Sequence, residues 1–243
     1  MSNQEIKVSV CVITYNQDQY ISKCLDSLIS QKVDFSFEII VGDDCSTDNT
    51  KKILKKYQEK YPGIIRLIQY DTNVGVVENY RRVHALAQGQ YICHVDGDDY
   101  WLQGKMAYQA RLLDENPDVV QCWTCAYLID DIGNKKGVFP SRVARFYNPK
   151  KITAQDIALS YAFVGHHSTQ MYRRIVRKPE LLNGEFLDYW VAFLNALEGN
   201  TIYSKEILSV YRLGEIESVT RNVNQKKVAV DLLSEHLIQI IKD

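Results

Sequence analysis

Residues 91–101 read YICHVDGDDYW, a short apolar run that turns into three aspartates within four positions. A continuous apolar run of this length is typical of a strand that is covered on both faces of a sheet. The segment before it, Val76 to Ala87, is predicted to be a helix, and Gly89 is placed to cap its carboxyl end. The stretch therefore predicts a helix and then a buried strand, Tyr91 to Val95, whose carboxyl end is acidic.

The same alternation runs back to the start of the chain. Three earlier apolar runs predict strands, over Lys7–Thr14, Phe37–Val41 and Ile64–Tyr70. Helices separate them, one with an apolar stripe from Tyr20 to Ile29 and one that follows Asp48 as its N-cap. Strands that alternate with helices imply an α/β fold with a doubly wound, mostly parallel sheet.

After Trp101 the alternation becomes irregular. The predicted helices cover about residues 105–114, 153–160 and 187–197, and the predicted strands cover 119–128, 169–172 and 202–211. Residues 134–150 are polar and basic and contain prolines, which predicts an exposed loop. The last stretch, 223–241, carries apolar residues near helical spacing and predicts a C-terminal helix.

The bulk composition is that of an ordinary globular protein. The chain has 243 residues, 46% hydrophobic and 24% charged, with a formal net charge of −1. This charge argues against nucleic acid as a partner, since proteins that bind nucleic acid usually carry a basic excess. No stretch approaches the ~20 apolar residues that cross a bilayer, and the N-terminus lacks a signal-peptide pattern. We therefore expect a cytoplasmic protein.

The six cysteines lie mostly within apolar runs, which indicates reduced, buried thiols. Cys122 and Cys125 have the spacing of a zinc or redox pair. Because no second Cys pair or His pair follows at a suitable interval, we expect neither a metal nor a redox role for them.

Polar residues follow the end of each strand in the first half. Ligands of open α/β sheets bind outside the carboxyl ends of the strands, which lie on one rim when the sheet is parallel. The rim residues are therefore the candidates for a binding site. In chain order they are Thr14, Tyr15, Asn16, Asp43, Asp44, Asn73, Asp96, Asp98 and Asp99.

The acidic run from Asp96 to Asp99 has two interpretations. Three carboxylates in four residues repel one another unless a counter-charge is present, and a divalent metal is the usual one. Oxygen ligands suit Mg²⁺ or Mn²⁺, which are normally shared with substrate phosphates. A solvated turn is the alternative. The chain contains neither a G-x-G-x-x-G nor a G-x-x-x-x-G-K-[ST] loop, so phosphate binding would have to run through a metal.

Four motifs carry a resemblance to a known family. They are VSVCVITYN (8–16), EIIVGDDCSTDNT (38–50), NVG (73–75) and HVDGDDYW (94–101). In order and spacing they resemble the family-2 glycosyltransferases with a GT-A fold. Lys105, Gln109 and Asn116-Pro117 extend the match and are typical of the branch that builds the bacterial cell envelope. The resemblance is specific over residues 7–118 and looser to about residue 215.

The resemblance implies a nucleotide-sugar site on the rim. Thr14, Tyr15 and Asp44 would line the base pocket, where a carboxylate can accept the imide N–H of uracil or thymine. This favours a UDP- or dTDP-sugar as donor, UDP first. The residues implied to bind the nucleotide are Thr14, Tyr15, Asn16, Asp43, Asp44, Asn73 and Asp96. Asp96 and Asp98 are implied to be ligands of a Mn²⁺ or Mg²⁺ ion.

The second half would supply the acceptor side. The segment DYWVAFLNALEG (188–199) resembles the family segment that carries the general base. Asp188 is therefore implied to deprotonate the acceptor hydroxyl, with inversion at the anomeric carbon. Glu185 is the rival base, and a helix N-cap is the alternative role of Asp188. The residues implied to face the acceptor or the diphosphate are Asp99, Trp101, His166, His167 and Arg212.

Several of these assignments leave alternatives. Trp101 either stacks on a sugar ring or packs in the core. His166 and His167 precede a predicted strand, where adjacent side chains point opposite ways, so at most one is expected to contact phosphate. His84 and His94 lie in a helix and a strand pattern and are interpreted as structural. Gly214 stands where the family often has a histidine, which removes a possible metal or phosphate contact. Arg212 is still assigned to neutralise diphosphate charge.

The sequence thus predicts a metal-dependent inverting glycosyltransferase of surface polysaccharide, such as O-antigen (lipopolysaccharide) or capsule, with a lipid-linked or oligosaccharide acceptor. One GT-A domain would cover 1–222, with a nucleotide-sugar half at 1–103 and an acceptor half at 104–222, and a helix would cover 223–243. Peripheral attachment at the inner face of the membrane and a homodimer contact are left open. The alternatives are a nucleotidyltransferase and a non-catalytic sugar-nucleotide-binding protein.

Overall fold

A mixed sheet organises the protein, and the structure, a computed structural model, describes residues 5–140, 151–159, 165–179, 182 and 188–214. Within these residues the strands are β1 (Val8–Thr14), β2 (Phe37–Asp43), β3 (Ile65–Gln69), β4 (Tyr91–Asp96), β5 (Tyr100–Trp101), β6 (Val119–Ile129), β7 (Lys135–Phe139), β8 (Gln170–Arg173) and β9 (Asn200–Arg212). The helices are α1 (Ile21–Ile29), α2 (Thr50–Lys60), α3 (Val76–Ala85), α4 (Lys105–Glu115), α5 (Ala154–Leu159) and α6 (Asp188–Ala196). Among these helices none has both the length and the apolar character needed to cross a bilayer.

The first half of the sheet is parallel. Its strands lie in the order β3-β2-β1-β4, and every neighbouring pair among them runs in the same direction. Thr14 is paired with Asp43, and Ile13 is paired with Asp96. The ends of β1, β2 and β4 therefore lie side by side on one rim, which confirms the placement that the sequence predicts.

Strands β1, β2 and β4 are mostly buried because helices cover both faces of the sheet. All seven residues of β1 are buried. Since successive side chains of a strand point to opposite faces, Val10 and Val12 pack in a core cluster with α1, α2 and α4. Cys11 and Ile13 point the other way and pack with α3. This is the doubly wound arrangement that the alternation of strands and helices predicts.

The second half of the sheet is mixed, and its topology brings a new segment to the rim. Strand β8 pairs with β4 in the antiparallel sense, and β6 pairs with β8 in the same sense. Strand β9 is parallel to β6 and antiparallel to β5. Because β8 runs opposite to β4, the segment that enters β8 meets the carboxyl end of β4. Residues 166–169 therefore lie beside the acidic residues.

A separate core covers β6 on the side of α6. Trp123 lies in it, and it is shared by β6, α5 and the apolar residues of α6. Gln121 Nε2 donates to the Ala192 carbonyl at 2.7 Å, which ties β6 to α6 inside this core. The family segment that begins at Asp188 is thus a buried helix of the second half.

Where the structure describes the chain, the predicted elements are present with ends that shift by a few residues, with one exception. Residues 134–150 were predicted to be an exposed loop, but Lys135–Phe139 forms β7 and pairs with β6. The prediction was wrong because Asp130 turns the chain back on itself: its Oδ1 accepts from the Asn134 N–H at 2.7 Å. The remainder of that loop, 141–150, and the predicted helix over 223–243 lie outside the described residues.

The cysteines are unpaired thiols, as predicted. All except Cys45 are buried. Burial raises the pKa of Cys93 to about 11 and that of Cys122 to about 12, so both remain protonated at neutral pH. These thiols pack as small apolar side chains.

Gly42 leaves room for α3 to approach β2. A Cβ at this position would lie 2.1 Å from Asn79 Oδ1 and 2.4 Å from Val83 Cγ2. Asn79 also donates to the Gly42 carbonyl at 3.0 Å. We expect Gly42→Ala to push α3 from the sheet and to lower the free energy of unfolding by about 1–3 kcal/mol, as overpacked cores do. Urea denaturation measures this change.

Gly63→Ala is the matched control, because no atom lies within 4 Å of the Cβ that it would add. It should leave the free energy of unfolding nearly unchanged. If Gly42→Ala is as stable as the wild type, α3 is not held against β2 in the way the structure describes.

Candidate active site

The acidic loop starts where β4 ends, at Asp96. The Asp99 N–H donates to the Asp96 carbonyl at 3.0 Å and closes the turn. Gly97 lies against the end of β1, where a Cβ would come within 2.5 Å of Gln17 Oε1 and 2.8 Å of Thr14 Oγ1. A residue without a side chain therefore allows the loop to rest on β1. This contact keeps the aspartates close to the predicted nucleotide residues.

Asp96 is held between two histidines. His94 Nε2 lies 3.2 Å from Asp96 Oδ1, and His167 Nε2 is hydrogen-bonded to Asp96 Oδ2. The main-chain N–H of Asp96 donates to Ser168 Oγ at 3.2 Å. Burial alone would raise the pKa of this carboxyl, but His167 and His94 outweigh burial and hold the pKa well below its usual range. Asp96 is therefore an ionised carboxylate with a defined orientation.

Asp99 is the most enclosed carboxylate of the loop, with 2% of its surface exposed. Its Oδ1 accepts from the main-chain N–H of Arg212 at 2.9 Å. Its Oδ2 lies 3.7 Å from His166 Nδ1 and has no hydrogen-bond partner among the described residues. Burial and the charges of Asp98 and Asp96 raise its pKa well above the usual range. A buried acceptor without a partner marks a place that a cation or a proton would stabilise.

Asp98 carries the third carboxylate of the loop. Burial and the neighbouring charge of Asp96 raise the pKa of Asp98 to about 6. An opposite charge favours the ionised form of a carboxyl group. The loop as built therefore fits the predicted cation better than it fits a solvated turn.

Two sets of ligand atoms lie close enough together to hold one ion. Within each set the atoms are within 4.8 Å of one another. The sets are His94, Asp96 and His167, and Asp96, Asp99 and His166. Imidazole nitrogen and carboxylate oxygen together suit a transition metal such as Mn²⁺ as well as a harder ion. Asp96 belongs to both sets, whereas Asp98 belongs to neither.

His166 and His167 both face the acidic loop. The chain forms a 3₁₀ turn over His167–Thr169, and the two imidazole rings stack with 4.4 Å between their centroids. That at most one of them contacts phosphate stays a prediction. Its premise, that adjacent side chains point to opposite sides, holds for a strand and not for a 3₁₀ turn.

His94 was predicted to be structural, but its ring contacts Asp96 directly. It lies on β4 two residues before Asp96, and alternate residues of a strand share a face. Ile92, His94 and Asp96 therefore all point towards α3. The periodicity of the strand could have identified this contact from the sequence.

Asp43 and Asp44 end β2 with buried carboxylates. Asp43 Oδ1 accepts from the Ser46 N–H at 3.2 Å and also from the Ser46 hydroxyl. Asp43 Oδ2 has no partner among the described residues. Because a carboxylate has about four acceptor sites, both aspartates retain acceptor capacity at the rim.

The side chain of Asp44 holds the loop that leads into α3. Its Oδ1 accepts from the Val74 N–H at 2.7 Å and its Oδ2 from the Gly75 N–H at 3.0 Å. Asn73 Nδ2 donates to the Asp44 carbonyl at 3.2 Å. Gly75 has a φ of 86°, in the region that favours glycine. Asn73 and Asp44 are therefore brought together as predicted, and Asp44 shapes the loop between β3 and α3.

The residues after β1 are arranged in a tight turn. Thr14 Oγ1 is 2.7 Å from Gln17 Oε1, and both lie under the acidic loop. Asn16 adopts a φ of 51°, and its Oδ1 accepts from the Thr47 N–H at 2.8 Å. Tyr15 has 45% of its surface exposed. The turn thus joins β1 to the loop after β2 and presents one open aromatic ring.

Trp101 lies in the core, with 3% of its surface exposed. Its indole N–H donates to the Ser168 carbonyl at 3.1 Å, and Lys105 Nζ lies 4.0 Å from its ring centroid. Of the two roles left open for Trp101, the core role is the one observed. The prediction that it faces the acceptor was wrong, because β5 pairs with β9 and turns the indole inwards.

Arg212 is also buried, and its guanidinium holds main-chain carbonyls. Its Nη1 donates to the Asp130 and Asp131 carbonyls at 2.9 Å each, and its Nε donates to the Asp98 carbonyl at 3.3 Å. The ring of Tyr20 lies 4.2 Å from the guanidinium carbon. Arg212 thus supports the backbone of the acidic loop, and its contact with diphosphate stays a prediction.

Asp188 is the first residue of α6. Its rival, Glu185, lies outside the described residues. The assignment of the general base to Asp188 therefore stays a prediction.

Comparisons of sequence support the predicted family. The profile described as "Glycosyl transferase family 2" matches residues 9–178. An uncharacterized protein of Mycobacterium tuberculosis is 32% identical over 207 residues, which cover 84% of this chain and 58% of that protein. The poly(ribitol-phosphate) β-N-acetylglucosaminyltransferase TarS of Staphylococcus aureus is 39% identical over 115 residues, 46% of this chain and 19% of that enzyme. The chain thus spans little more than half the length of the mycobacterial relative.

Solved structures share the fold. The crystal structure of residues 1–349 of TarS with UDP-GlcNAc has a TM-score of 0.67 at 24% identity, covering 96% of this chain and 67% of that one. The mannosyltransferase PcManGT of Pyrobaculum calidifontis, in complex with GDP-Man and Mn²⁺, has a TM-score of 0.69 at 19% identity, covering 99% and 66%. These likenesses confirm the GT-A fold that the sequence predicts.

Replacement of Asp44 by asparagine should loosen the loop before α3. An asparagine side chain has one oxygen and one NH₂ group in place of the two carboxylate oxygens. Either the Val74 N–H or the Gly75 N–H would then lose its acceptor. Such a loss costs about 1–3 kcal/mol. Native-state hydrogen exchange should show faster exchange of the Val74 and Gly75 amides in Asp44→Asn.

Asp71→Asn is the matched control, since Asp71 is exposed and its main-chain carbonyl, not its carboxylate, accepts the hydrogen bond from Cys45. It should leave both exchange rates unchanged. Equal protection of the two amides in Asp44→Asn and the wild type would contradict the role assigned to Asp44.

Proposed function

The chain belongs to glycosyl transferase family 2, and we propose that it transfers a sugar from a nucleotide-sugar donor to a hydroxyl group of a carbohydrate or lipid-linked acceptor, with inversion at the anomeric carbon. The observation that carries the proposal is the acidic loop. Its ionised Asp96 is clamped by His94 and His167 on the rim that Thr14 and Asp43 share. Family membership does not favour the nucleotidyltransferase alternative.

The proposed donor is a UDP-sugar carrying a hexosyl or N-acetylhexosaminyl group. The nucleotide would lie along the ends of β1 and β2, with its base near Tyr15, Asp43 and Asp44 and its ribose near Asp96. Carboxylate acceptors in that position favour uracil, whose imide N–H is a donor. TarS binds UDP-GlcNAc, and PcManGT binds GDP-Man. UDP-sugars and GDP-sugars are therefore both candidates, and their binding should be compared directly.

The proposed metal is Mn²⁺ or Mg²⁺, held by Asp96 and Asp98. When bound, such an ion stabilises the negative charge of the departing nucleoside diphosphate. The side chains of the protein prepare this site: His94 and His167 orient Asp96, and Arg212 holds the backbone of the loop. PcManGT, which shares the fold, contains Mn²⁺ in its complex.

The proposed base is Asp188, at the start of α6. A carboxylate there would accept the proton of the acceptor hydroxyl as its oxygen attacks the anomeric carbon, while the bond to the nucleoside diphosphate breaks. Attack from the side opposite the leaving group inverts the anomeric configuration. His166 and His167, stacked beside the loop, would lie near the diphosphate.

The proposed setting is the assembly of a surface polysaccharide, such as O-antigen or capsule, on the cytoplasmic side of the cell membrane. The named activity of TarS, transfer to poly(ribitol-phosphate), supports a polymer of this kind as acceptor. Peripheral membrane attachment and a homodimer remain part of the proposal, as does the division into halves at 1–103 and 104–222 with a helix at 223–243.

A panel of nucleotides should identify the donor base. We expect UDP with Mn²⁺ to raise the unfolding temperature more than UDP alone, and more than GDP, dTDP or CMP with Mn²⁺. At a ligand concentration of 100 times Kd, a stabilisation of about 2.7 kcal/mol corresponds to a shift of roughly 5–10 °C. Differential scanning fluorimetry measures it. No shift with any nucleotide would contradict the proposal.

Asp98→Asn should abolish the part of this shift that depends on Mn²⁺, because the loop loses one ionised oxygen ligand. Asp34→Asn, at an exposed position away from the rim, is the control and should respond as the wild type does. A full Mn²⁺-dependent shift in Asp98→Asn would remove Asp98 from the metal site.

Asp188→Asn should lower kcat by about 10²–10⁴-fold, the usual contribution of a general base. The affinity for UDP with Mn²⁺ should not change, because asparagine has nearly the same shape and the nucleotide lies on the other half. Radiolabelled sugar transfer to an acceptor extract and calorimetric titration with UDP measure the two quantities.

Glu185→Gln is the matched comparison and should keep its activity. If Asp188→Asn turns over normally and Glu185→Gln does not, the base is Glu185.

A further inference from the structure

A line of hydrogen-bonded side chains connects Asp96 to the interior of the protein. Asp96 Oδ1 lies 3.2 Å from His94 Nε2, and His94 Nδ1 lies 3.0 Å from His84 Nε2. His84 Nδ1 lies 3.0 Å from the hydroxyl of Tyr172. The four residues come from three elements, β4, α3 and β8. The family-2 motifs quoted above include neither His84 nor Tyr172.

The line is shielded from water. The exposed fractions are 3% for His84, 2% for His94 and 1% for Tyr172. The ring of Tyr80 stacks on His84 with 3.7 Å between centroids and covers it from one side. Buried hydrogen bonds of this kind are stronger than exposed ones, because the local dielectric constant is low.

The hydrogen bonds can be satisfied in one direction. Asp96 is ionised and can only accept, so His94 Nε2 must carry a proton. Burial lowers the pKa of His84 well below its usual range and raises that of Tyr172 well above its own, so the ring is neutral and the phenol keeps its proton.

When His94 is neutral as well, Tyr172 donates to His84 Nδ1, and His84 Nε2–H donates to His94 Nδ1. Each ring then carries one proton, on Nε2, and each ring nitrogen has a partner.

We propose that His84 and His94 form a relay that positions Asp96, with His84 acting as a positioning residue through His94. The inference rests on the proposed function, in which Asp96 binds the donor and its metal. Residues that hydrogen-bond to a metal-binding carboxylate hold it in the orientation that binds the ion. Their loss typically lowers metal affinity or activity by about 10–100-fold.

The relay also joins two parts of the site. Helix α3 starts at the loop held by Asp44 and carries His84 near its other end. The main-chain carbonyl of His84 accepts from Arg177, which anchors this end of the helix. One helix therefore connects the nucleotide side of the rim with the carboxylate of the acidic loop.

Asp96 is fixed from both sides as a result. His167 bonds to Oδ2 and belongs to the turn before β8, whereas His94 bonds to Oδ1 and is held by the relay. His84 is the member of the relay that lies farthest from the proposed donor while still contacting His94. It can therefore be replaced without removing any group that would touch the donor.

The first test determines which ring nitrogens donate in the relay, in the 243-residue chain. With ¹⁵N-labelled histidine, NMR assigns which ring nitrogens carry a proton. We expect both His84 and His94 to be neutral and protonated on Nε2, with ring N–H protons that exchange slowly with water. A proton on His94 Nδ1 in the ligand-free protein would overturn the relay as drawn.

The second test replaces His84. His84→Phe keeps a planar ring but removes both hydrogen bonds, so the His94 Nε2–H should exchange faster with water. Calorimetric titration should show a Kd for UDP with Mn²⁺ that is roughly 10–100-fold higher. His84→Gln offers an N–H in place of Nε2–H and should recover most of the affinity.

Two further variants make the result specific. Val83→Ala removes a buried side chain from the same helix without touching the relay, so it should lower stability while leaving Kd and the His94 exchange rate unchanged. Tyr172→Phe removes only the outer hydroxyl and should affect Kd in the same direction as His84→Phe, but less. If His84→Phe does not fold, Tyr172→Phe and His84→Gln carry the test.

The outcomes separate the relay from the proposed function. If the wild type binds UDP and a folded His84→Phe variant binds it equally well, the relay does not position Asp96, and the proposed function stands. If no nucleotide binds to the wild type, the proposed function fails, and with it the role of the relay in donor binding. In that case the NMR assignment of the protonated ring nitrogens still decides whether the hydrogen bonds of the relay exist.

Discussion

The crowding of three carboxylates at the end of one strand, with Asp99 buried and Asp96 and Asp98 half-buried, is the constraint on which this structure depends. Like charges in a confined space repel one another, and burial adds to the cost of each charge. The surroundings of the three carboxyl groups differ. Asp96 is stabilised as a carboxylate by two histidines, whereas Asp98 and Asp99 are both left with raised pKa values, although Asp99 accepts a hydrogen bond from a main-chain N–H. The partially compensated loop is the feature that fits a divalent cation.

The topology of the second half of the sheet brings stabilising groups to these carboxylates. An antiparallel β8 delivers His166 and His167 to the end of β4, and β9 delivers the N–H and the guanidinium of Arg212 to the other side of the loop. A parallel strand next to β4 would have placed its own carboxyl end there, with its entering segment at the far edge of the sheet. The mixed sheet therefore explains why two separate stretches of sequence converge on one acidic turn.

Two close backbone approaches hold the rim together. Gly97 lets the acidic loop rest on β1, and Gly42 lets α3 rest on β2. Helix α3 is thereby placed so that Asp44 holds its start and His84 reaches His94 from its far end. The nucleotide side and the acidic side of the site share this helix, so a change in its position would be transmitted to both.

The sequence by itself determined the strands, the helices and the chemistry of the rim, because apolar runs and clustered aspartates are local patterns. Thr14, Asp43, Asp44 and Asp96 meet as predicted, since parallel strands end on the same side. Only the tertiary structure decided which side chains face the loop. Trp101 and Arg212 turned out to be buried supports, while His166 and His167 lie beside Asp96 and Asp99. These roles depend on strand order, on a 3₁₀ turn and on contacts between residues 70 or more positions apart, which local patterns do not encode.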